Sequence, residues 1–524
     1  MWTNRYGNSR AGAQTTETIL TPMVVGGGKF GLQFSQTVDG TIQAQPLYVP
    51  GLTIPGKGVH NVVFVATEHN SVYAFDADAG GAPGQLWVKS MGPSAPFASS
   101  PSFSCKDLQP EVGITSTPVI DTSAADPNTW TIYVEAKTLE AGVFHQRIHA
   151  LDVTTGADRM PAVDIAATAR GTGDGNVGGM LSFRPENHIQ RAALLLDNGT
   201  LYVAFASHCD AGPYHGWVLA YDAKTLTPKG TFVTTPNSGE GGIWQSGMGM
   251  SADGTGIYFV AGNSTKNLQP TPGAEYGLSV GRLTLANGLF SVADYWTATG
   301  FVSLNAADSD LTSSAVLDVN SKLAFVGAKD GKIHVLDRTH LGNYSATGDQ
   351  IVQTVPLTFN FVQSRSGHSH GGPVLWNGPS GMRMYVWPEQ GPVQVFAVTP
   401  SATTNPVNPT AVSVSPASVP YPPHPGGMLT VSSNGSTAGT GILWAGVVPN
   451  PAADAWHAMV PGSLYAFDAA DVAKGPIWTS DQAPMGRDTL GIFAKFCPPT
   501  VVNGRVYIGT GTTTNALRVY GRLP

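Results

Sequence analysis

The chain has 524 residues, 42% of them hydrophobic and 12% charged, with a formal net charge of −7: ample material for a large core and too little charge for disorder. A pI near 6.0 gives no basic stripe for nucleic acid and no polybasic patch for a membrane surface. No run of about 18 apolar residues occurs, so no transmembrane helix is expected, and 63 glycines with 39 prolines predict a turn-rich, all-β protein.

The chain opens on Met1-Trp2-Thr3-Asn4-Arg5, which has no apolar signal core and reads as a mature start from which a leader has been trimmed. With scarce charge and abundant Gly, Thr, Asn and Pro, this predicts a secreted protein, periplasmic or extracellular. Residues 1–31 read as an extended N-terminal segment and 32–524 as one domain. Cys105, Cys209 and Cys497 permit one disulfide with one cysteine left over, and no CxxC pair is present for a metal knuckle or redox site.

From Leu32 to Val38 the alternation is period two, the mark of a half-buried strand. A unit then recurs: an apolar strand, a turn, a second strand, a loop, an aromatic-aliphatic strand ending in Asp, and often a last strand with Trp. Its third strands read SVYAFDADAG, RIHALDVTTG, GWVLAYDAKT, KIHVLDRT and SLYAFDAAD. Eight such units predict an eight-bladed β-propeller, since each sheet can bury its faces only against neighbouring blades. The eighth unit has only three strands, and 32–38 is expected to supply the fourth, closing the ring and removing its open edge. Helical periodicity is nearly absent.

The topology sorts the loops. Connections between second and third strands, and those leading into the next blade, open on one face. The long insertions at 93–113, 171–190, 263–277, 297–311, 363–372, 416–427 and 449–462 all belong to that rim, where binding is expected. Within it, 241–265 places Trp244 at the entrance of one strand and Asn263 at the exit of its antiparallel partner, so both fall at the same end of a hairpin.

The motifs AFDADAG, ALDVTTG, AYDAKT and VLDRT resemble the repeats of pyrroloquinoline quinone (PQQ) proteins, and the blade number resembles that of the quinoprotein alcohol dehydrogenases. CDAGPYHGWVLAYDAKT, GGIWQSG followed by GIYFVAGNS, and AKDGKIHVLDRTHLG are similar to that family's site-bearing stretches. The resemblance implies Trp244 as a stacking floor for PQQ, Asn263 and Asp210 as calcium ligands, Lys329 as the cation on the quinone, and Asp308 or Asp310 as the catalytic carboxylate. That chemistry is coherent: calcium takes hard oxygen ligands and polarises a quinone carbonyl, while a carboxylate accepts the alcohol proton. Three departures stand against the pattern. The family's adjacent cysteines are replaced by Ser104-Cys105-Lys106, the Trp of its Asp-x-Trp-Asp segment is missing in Asp308-Ser309-Asp310, and there is no CxxCH haem site.

A second constellation is histidine-rich. His69, His208, His215, His368, His370 and His424 all fall on the predicted rim, and the alternation in His368-Ser369-His370 points both imidazoles to one side. Such a cluster suits copper, zinc or iron. Glu111 and Arg184, on the same rim, can orient an anionic or sugar-like ligand or form surface pairs. No Ser-His-Asp elbow, Walker loop or HExxH sequence occurs. Three readings follow: a PQQ- and calcium-dependent dehydrogenase of alcohols, polyols or sugars; a non-catalytic scaffold for a glycan or protein partner; and a copper- or other metal-dependent oxidoreductase built on the histidines.

Overall fold

The computed structural model describes residues 1–80, 83–103, 108–266, 274–360 and 367–524. Eight antiparallel sheets follow one another along the chain in the order expected of a propeller, and the eighth is closed from the N-terminus. Blade one is Leu47–Ile54, Gly58–Ala66, Ser71–Asp76 and Gln85–Ser90, and blade five is Val316–Leu317, Leu323–Gly327, Lys332–Asp337 and Gln353–Pro356. In blade eight, Phe30–Thr37 lies outside Ala516–Arg522 in antiparallel register, Phe30 opposite Arg522 and Thr37 opposite Ala516. The closing strand therefore starts two residues earlier than its alternation indicates, because Phe30 is drawn into an aromatic seam. Its ring lies 4.9 Å from Trp478 and 5.5 Å from Trp444, both of blade seven. Burying one such side chain contributes roughly 1.5–3 kcal/mol.

The recurring Asp of the third strand has a local cause. Asp76, Asp152, Asp222, Asp337 and Asp468 each accept from a backbone N–H two residues on: Asp78 at 2.9 Å, Thr154 at 2.7 Å, Lys224 at 3.0 Å, Thr339 at 2.8 Å and Ala470 at 2.9 Å. The carboxylate organises the turn into the fourth strand. Only Pro22–Gly26 and Phe301–Ala306 are α-helical among the described residues, and no helix is long and apolar enough to cross a membrane.

The residues ahead of the closing strand run along the inner ends of the blades. The innermost strand of each blade leaves one edge unpaired towards the channel, and the first residues satisfy it. Tyr48, Ile120, Ala252, Leu317, Leu375 and Val431 donate their N–H groups to the carbonyls of Met1, Trp2, Asn8, Ser9, Ala11 and Gly12 at 2.8–3.0 Å. Blade three is reached through Asn8 Nδ2 to the Leu196 carbonyl at 2.9 Å, and blade eight through Val501 N–H to Tyr6 Oη at 2.7 Å. Arg5 and Arg10 are buried among blade carbonyls, Arg10 donating to Met250 O at 2.9 Å and Leu194 O at 3.2 Å. Ala13–Gln14 then adds a parallel strand to Met428–Ser432 of blade seven.

Candidate functional site

A cavity open to solvent lies among the rim loops of blades three to eight. Every stretch that lines it either leads into a blade's first strand or joins a second strand to a third, so the cavity sits on the rim that carries the long insertions. Its lining includes Cys209, Asp210, Trp244, Asp308, Asp310, Lys329, His370 and His424. Five lining residues, Cys209, Asp210, Ser246, Asp308 and Phe496, have φ between 48° and 62° without being glycine. Left-handed backbone of this kind costs energy that packing elsewhere must offset, and it concentrates where side-chain direction matters more than local comfort.

Trp244 does not sit on a strand. It precedes the short 3-10 turn Gln245–Gly247, and the strand of this stretch is only Ser251–Ala252. The two arms of the hairpin are joined nonetheless: Gly262 N–H donates to Gly242 O at 2.9 Å and Gly241 N–H to Asn263 O at 2.5 Å. The indole lies across both glycines. A Cβ on Gly262 would come within 3.1 Å of Trp244 Cδ1 and would also collide with Asp310 Oδ1, and one on Gly242 would stand 2.9 Å from Trp244 Nε1. One face of the half-buried ring is left to the cavity.

Asp310 and Lys329 are paired through the backbone, Lys329 N–H donating to Asp310 O at 2.9 Å, so their side chains rise together. Lys329 Nζ lies 2.6 Å from Asp310 Oδ2 and 3.1 Å from Asp308 Oδ1. Burial alone would lower the ammonium's pKa; Asp310 and Asp308 outweigh it and hold Lys329 above its ordinary value, so it remains charged. Asn263 completes the group. Its N–H donates to Asp310 Oδ1 at 2.8 Å and its Nδ2 to Asp308 Oδ1 at 2.9 Å, which turns its Oδ1 away as a buried oxygen with no hydrogen-bond partner. Asp210 Oδ1 accepts from Tyr214 Oη at 2.6 Å. Desolvation raises the Asp210 carboxyl against that hydrogen bond, and the charges of Asp310 and Asp308 add to the rise. Burial, followed by repulsion from Asp210 and Asp310, pushes Glu240 up to about 7. A buried amide oxygen without a hydrogen-bond partner and the carboxylates of Asp210, Asp308 and Asp310 on the cavity wall are oxygen donors of the kind calcium takes.

The architecture matches quinohemoprotein alcohol dehydrogenase ADHIIG from Pseudomonas putida HK5 with a TM-score of 0.56, at 14% identity over 99% of this chain and 80% of that one. The quinohemoprotein alcohol dehydrogenase from Comamonas testosteroni matches with a TM-score of 0.53, also at 14% identity, over 100% of this chain and 81% of that one. This chain has the propeller fold of the quinoprotein alcohol dehydrogenases. BamB from Moraxella catarrhalis is similar over 93% of this chain and 99% of its own, at 13% identity and a TM-score of 0.47. No family model matches the chain, nor does any curated protein. At such identity the likeness speaks to fold, and the chemistry of this propeller rests on its own residues.

Its six rim histidines do not form one cluster. His69 Nδ1 is 2.9 Å from Glu111 Oε2 on the surface, so Glu111 is a surface partner. His208 Nε2 meets the buried Lys137 Nζ at 2.8 Å, and His215 is held by Thr235 Oγ1 at 3.1 Å and Asp174 O at 2.9 Å. Arg184 is exposed, reaching Gly175 O at 3.3 Å. Each of these is occupied by a local partner. His368, His370 and His424 do converge, and they do so on Glu389, which the sequence reading passed over. Burial pushes His424 down to about 3, against the hydrogen bond to Glu389 that favours its charged form.

Arg191, Ser246, Trp456 and Phe496 also line the cavity without having been singled out, Arg191 lying 4.8 Å over the Phe496 ring. A positional signal existed for Glu389: it lies between second and third strands, as Asp210 and Lys329 do in their own blades. Cys209, on the cavity wall, is in a disulfide, while Cys497 is buried and free. Cys105, and parts of the loops 93–113, 263–277 and 363–372, lie outside the described residues.

Proposed function

We propose that this protein is a PQQ- and calcium-dependent dehydrogenase of small alcohols, polyols or sugars. The observation that carries the reading is the convergence of Trp244, Lys329, Asp308 and Asp310 on one cavity, with the Asn263 oxygen buried beside the aspartates and left without a partner. Asn263, Asp310 and Asp210 would hold the cation, and Trp244 would support the planar ring. When bound, the quinone supplies a two-electron acceptor and calcium polarises its reactive carbonyl.

The chain's own residues divide the remaining work. The Asp308 side chain is 63% exposed while that of Asp310 is 12% exposed. Asp308 is therefore the carboxylate that can reach a substrate hydroxyl and accept its proton, whereas Asp310, fixed by Lys329 and by the Asn263 N–H, is better suited to positioning and cation binding. Lys329 keeps its charge and offsets negative charge arising beside it. The apolar faces of Trp244, Trp456 and Phe496 displace water from the cavity and favour a carbon-rich ligand. The disulfide at Cys209 supports an oxidising compartment, periplasmic or extracellular.

The test is reconstitution. Protein incubated with PQQ and calcium chloride, then freed of excess, is expected to retain the quinone spectrum in stoichiometric amount and to reduce an artificial dye with at least one alcohol or sugar. Retention of no quinone and no dye reduction across a panel of alcohols, polyols and sugars would sink the reading.

A further inference from the structure

We propose that His368, His370, His424 and Glu389 form a binding site for a divalent first-row transition-metal ion, distinct from the oxygen cluster of Asn263, Asp310 and Asp210 and bordering the same cavity. The proposal does not rest on the quinone reading.

The four side chains are brought together by backbone pairing. Glu389 N–H donates to His368 O at 2.9 Å and Gly367 N–H to Glu389 O at 2.9 Å, which sets the loop leading into blade six against the one between its second and third strands. Ser369 is turned the other way: its carbonyl accepts from Thr312 Oγ1 at 2.7 Å and its side chain packs on Gly327. His368 and His370 thus share one side. One nitrogen of each ring faces the carboxylate, His368 Nδ1 at 3.6 Å from Oε2, and His370 Nε2 at 3.2 Å and His424 Nδ1 at 2.9 Å from Oε1. The Glu389 side chain is only 3% exposed.

The geometry is close to that of a bound ion. Ligand atoms of His368, His370 and Glu389 all lie within 4.8 Å of one another. Around an ion held at about 2.0–2.2 Å, ligand atoms stand roughly 3–4 Å apart, so side-chain adjustments of about 1 Å bring these three onto an ion, and His424 Nδ1, 2.9 Å from Glu389 Oε1, stands beside them as a fourth donor. Three imidazoles with one carboxylate is a donor set for zinc, iron or copper; calcium and magnesium prefer oxygen.

The orientation of His370 is compatible with such a site. Ser246 Oγ donates its single hydrogen to Thr312 O at 3.0 Å, so towards His370 Nδ1, 3.4 Å away, it acts as acceptor. Nδ1 therefore carries the hydrogen, and a neutral ring then directs the Nε2 lone pair at the Glu389 carboxylate. A positive charge between these two groups is favoured, and a metal ion placed there would have Ser246 in the role that second partners of metal-bound imidazoles usually play. His370 and His424 both line the cavity, so an open coordination position would face it and take a water molecule or an oxygen of a cavity ligand.

The experiment uses the full chain, stripped with chelator and then offered zinc in equilibrium dialysis with excess calcium present to occupy the oxygen cluster. One equivalent of zinc is expected. Glu389→Gln and His370→Ala should each weaken binding by roughly 10- to 100-fold, while His69→Ala should not change it. Because the buried variants can misfold, X-ray absorption of zinc on the unmodified protein provides the second measurement: a shell containing at least two imidazoles is expected. Retention of less than half an equivalent, as a protonated His370 would give, overturns the proposal. So does an oxygen-only shell, or zinc binding untouched in folded His370→Ala.

Discussion

Lys329 Nζ lies 2.6 Å from Asp310 Oδ2, in an ion pair whose lysine side chain is 8% exposed. The pair joins blade five's leading loop to its second-to-third-strand connection, and it sits in the cavity wall instead of at the solvent surface. Lys329→Met would leave Asp310 charged and buried without compensation. We expect a loss of about 3 kcal/mol or more in unfolding free energy, measured by chemical denaturation, and a smaller loss for Lys329→Met combined with Asp310→Asn. Equal stability of the two variants would contradict a buried-charge origin.

Gly262→Ala should be more harmful than its size suggests. The added methyl meets Asp310 Oδ1 and lies 3.1 Å from Trp244 Cδ1, so it displaces the proposed stacking face and the acid cluster together. The expected result is retained fold by circular dichroism, a stability loss of about 1–3 kcal/mol, and loss of quinone retention. Trp244→Ala should lose retention without the steric penalty.

Asn263→Ala removes the orphaned oxygen along with the amide donor to Asp308. Calcium affinity, read by isothermal titration, should fall by roughly tenfold or more, since one ligand and one charge-assisted hydrogen bond are lost. Asp308→Asn should instead preserve calcium binding and suppress turnover, which separates ligand from base.

Glu240 carries the pH dependence. Its carboxyl is pushed up to about 7 by burial and then by the charges of Asp210 and Asp310, so it holds a proton in the folded state where the unfolded chain has lost it. The folded state binds the proton more tightly, so this group's contribution to stability is present at low pH and falls as pH rises from the ordinary glutamate range to about 7. A dication nearby reverses the preference and expels the proton. Calcium affinity should therefore weaken as pH drops through about 7, and Glu240→Gln should flatten the profile, measured by titration at about pH 6 and about pH 8.

Arg10 tests the inner seam. It donates to Met250 O, Asn4 O, Leu194 O and Thr3 Oγ1 at 2.8–3.2 Å, and its burial beside Arg5 holds its pKa down to about 9. Arg10→Met leaves these acceptors without their donor in a buried setting, at a cost of about 3 kcal/mol. Thermal unfolding should move to lower temperature, while calcium affinity on the rim side changes little.

The propeller was legible because its cause is local and repeated. Strand alternation, glycine turns and the turn-forming Asp at residues such as Asp152 and Asp222 act within a few residues of themselves, and eight copies reinforce one reading. The irregular opening residues were harder. Their hydrogen bonds go to the edges of all eight blades, and nothing in the polar run around Asn4 to Arg10 announces partners hundreds of residues away. Trp244 was legible as a residue at a hairpin end, yet its turn conformation depends on Gly242 and Gly262 accommodating the indole. The histidines mislead for a related reason: imidazoles on one rim look alike in sequence, and only the neighbours of His69, His208 and His215 show that each is already engaged.

The sequence by itself determined the all-β class, the blade number, the ring closure and the rim on which the site would lie, because those follow from short-range periodicity and from the need to bury sheet faces. Only the tertiary structure decided which side chains meet: Lys329 with Asp308 and Asp310, the Asn263 oxygen left without a partner, and Glu389 beneath three histidines. These contacts join loops from different strands and blades, so they depend on the closed ring that sets the blades at fixed separations and not on spacing along the chain.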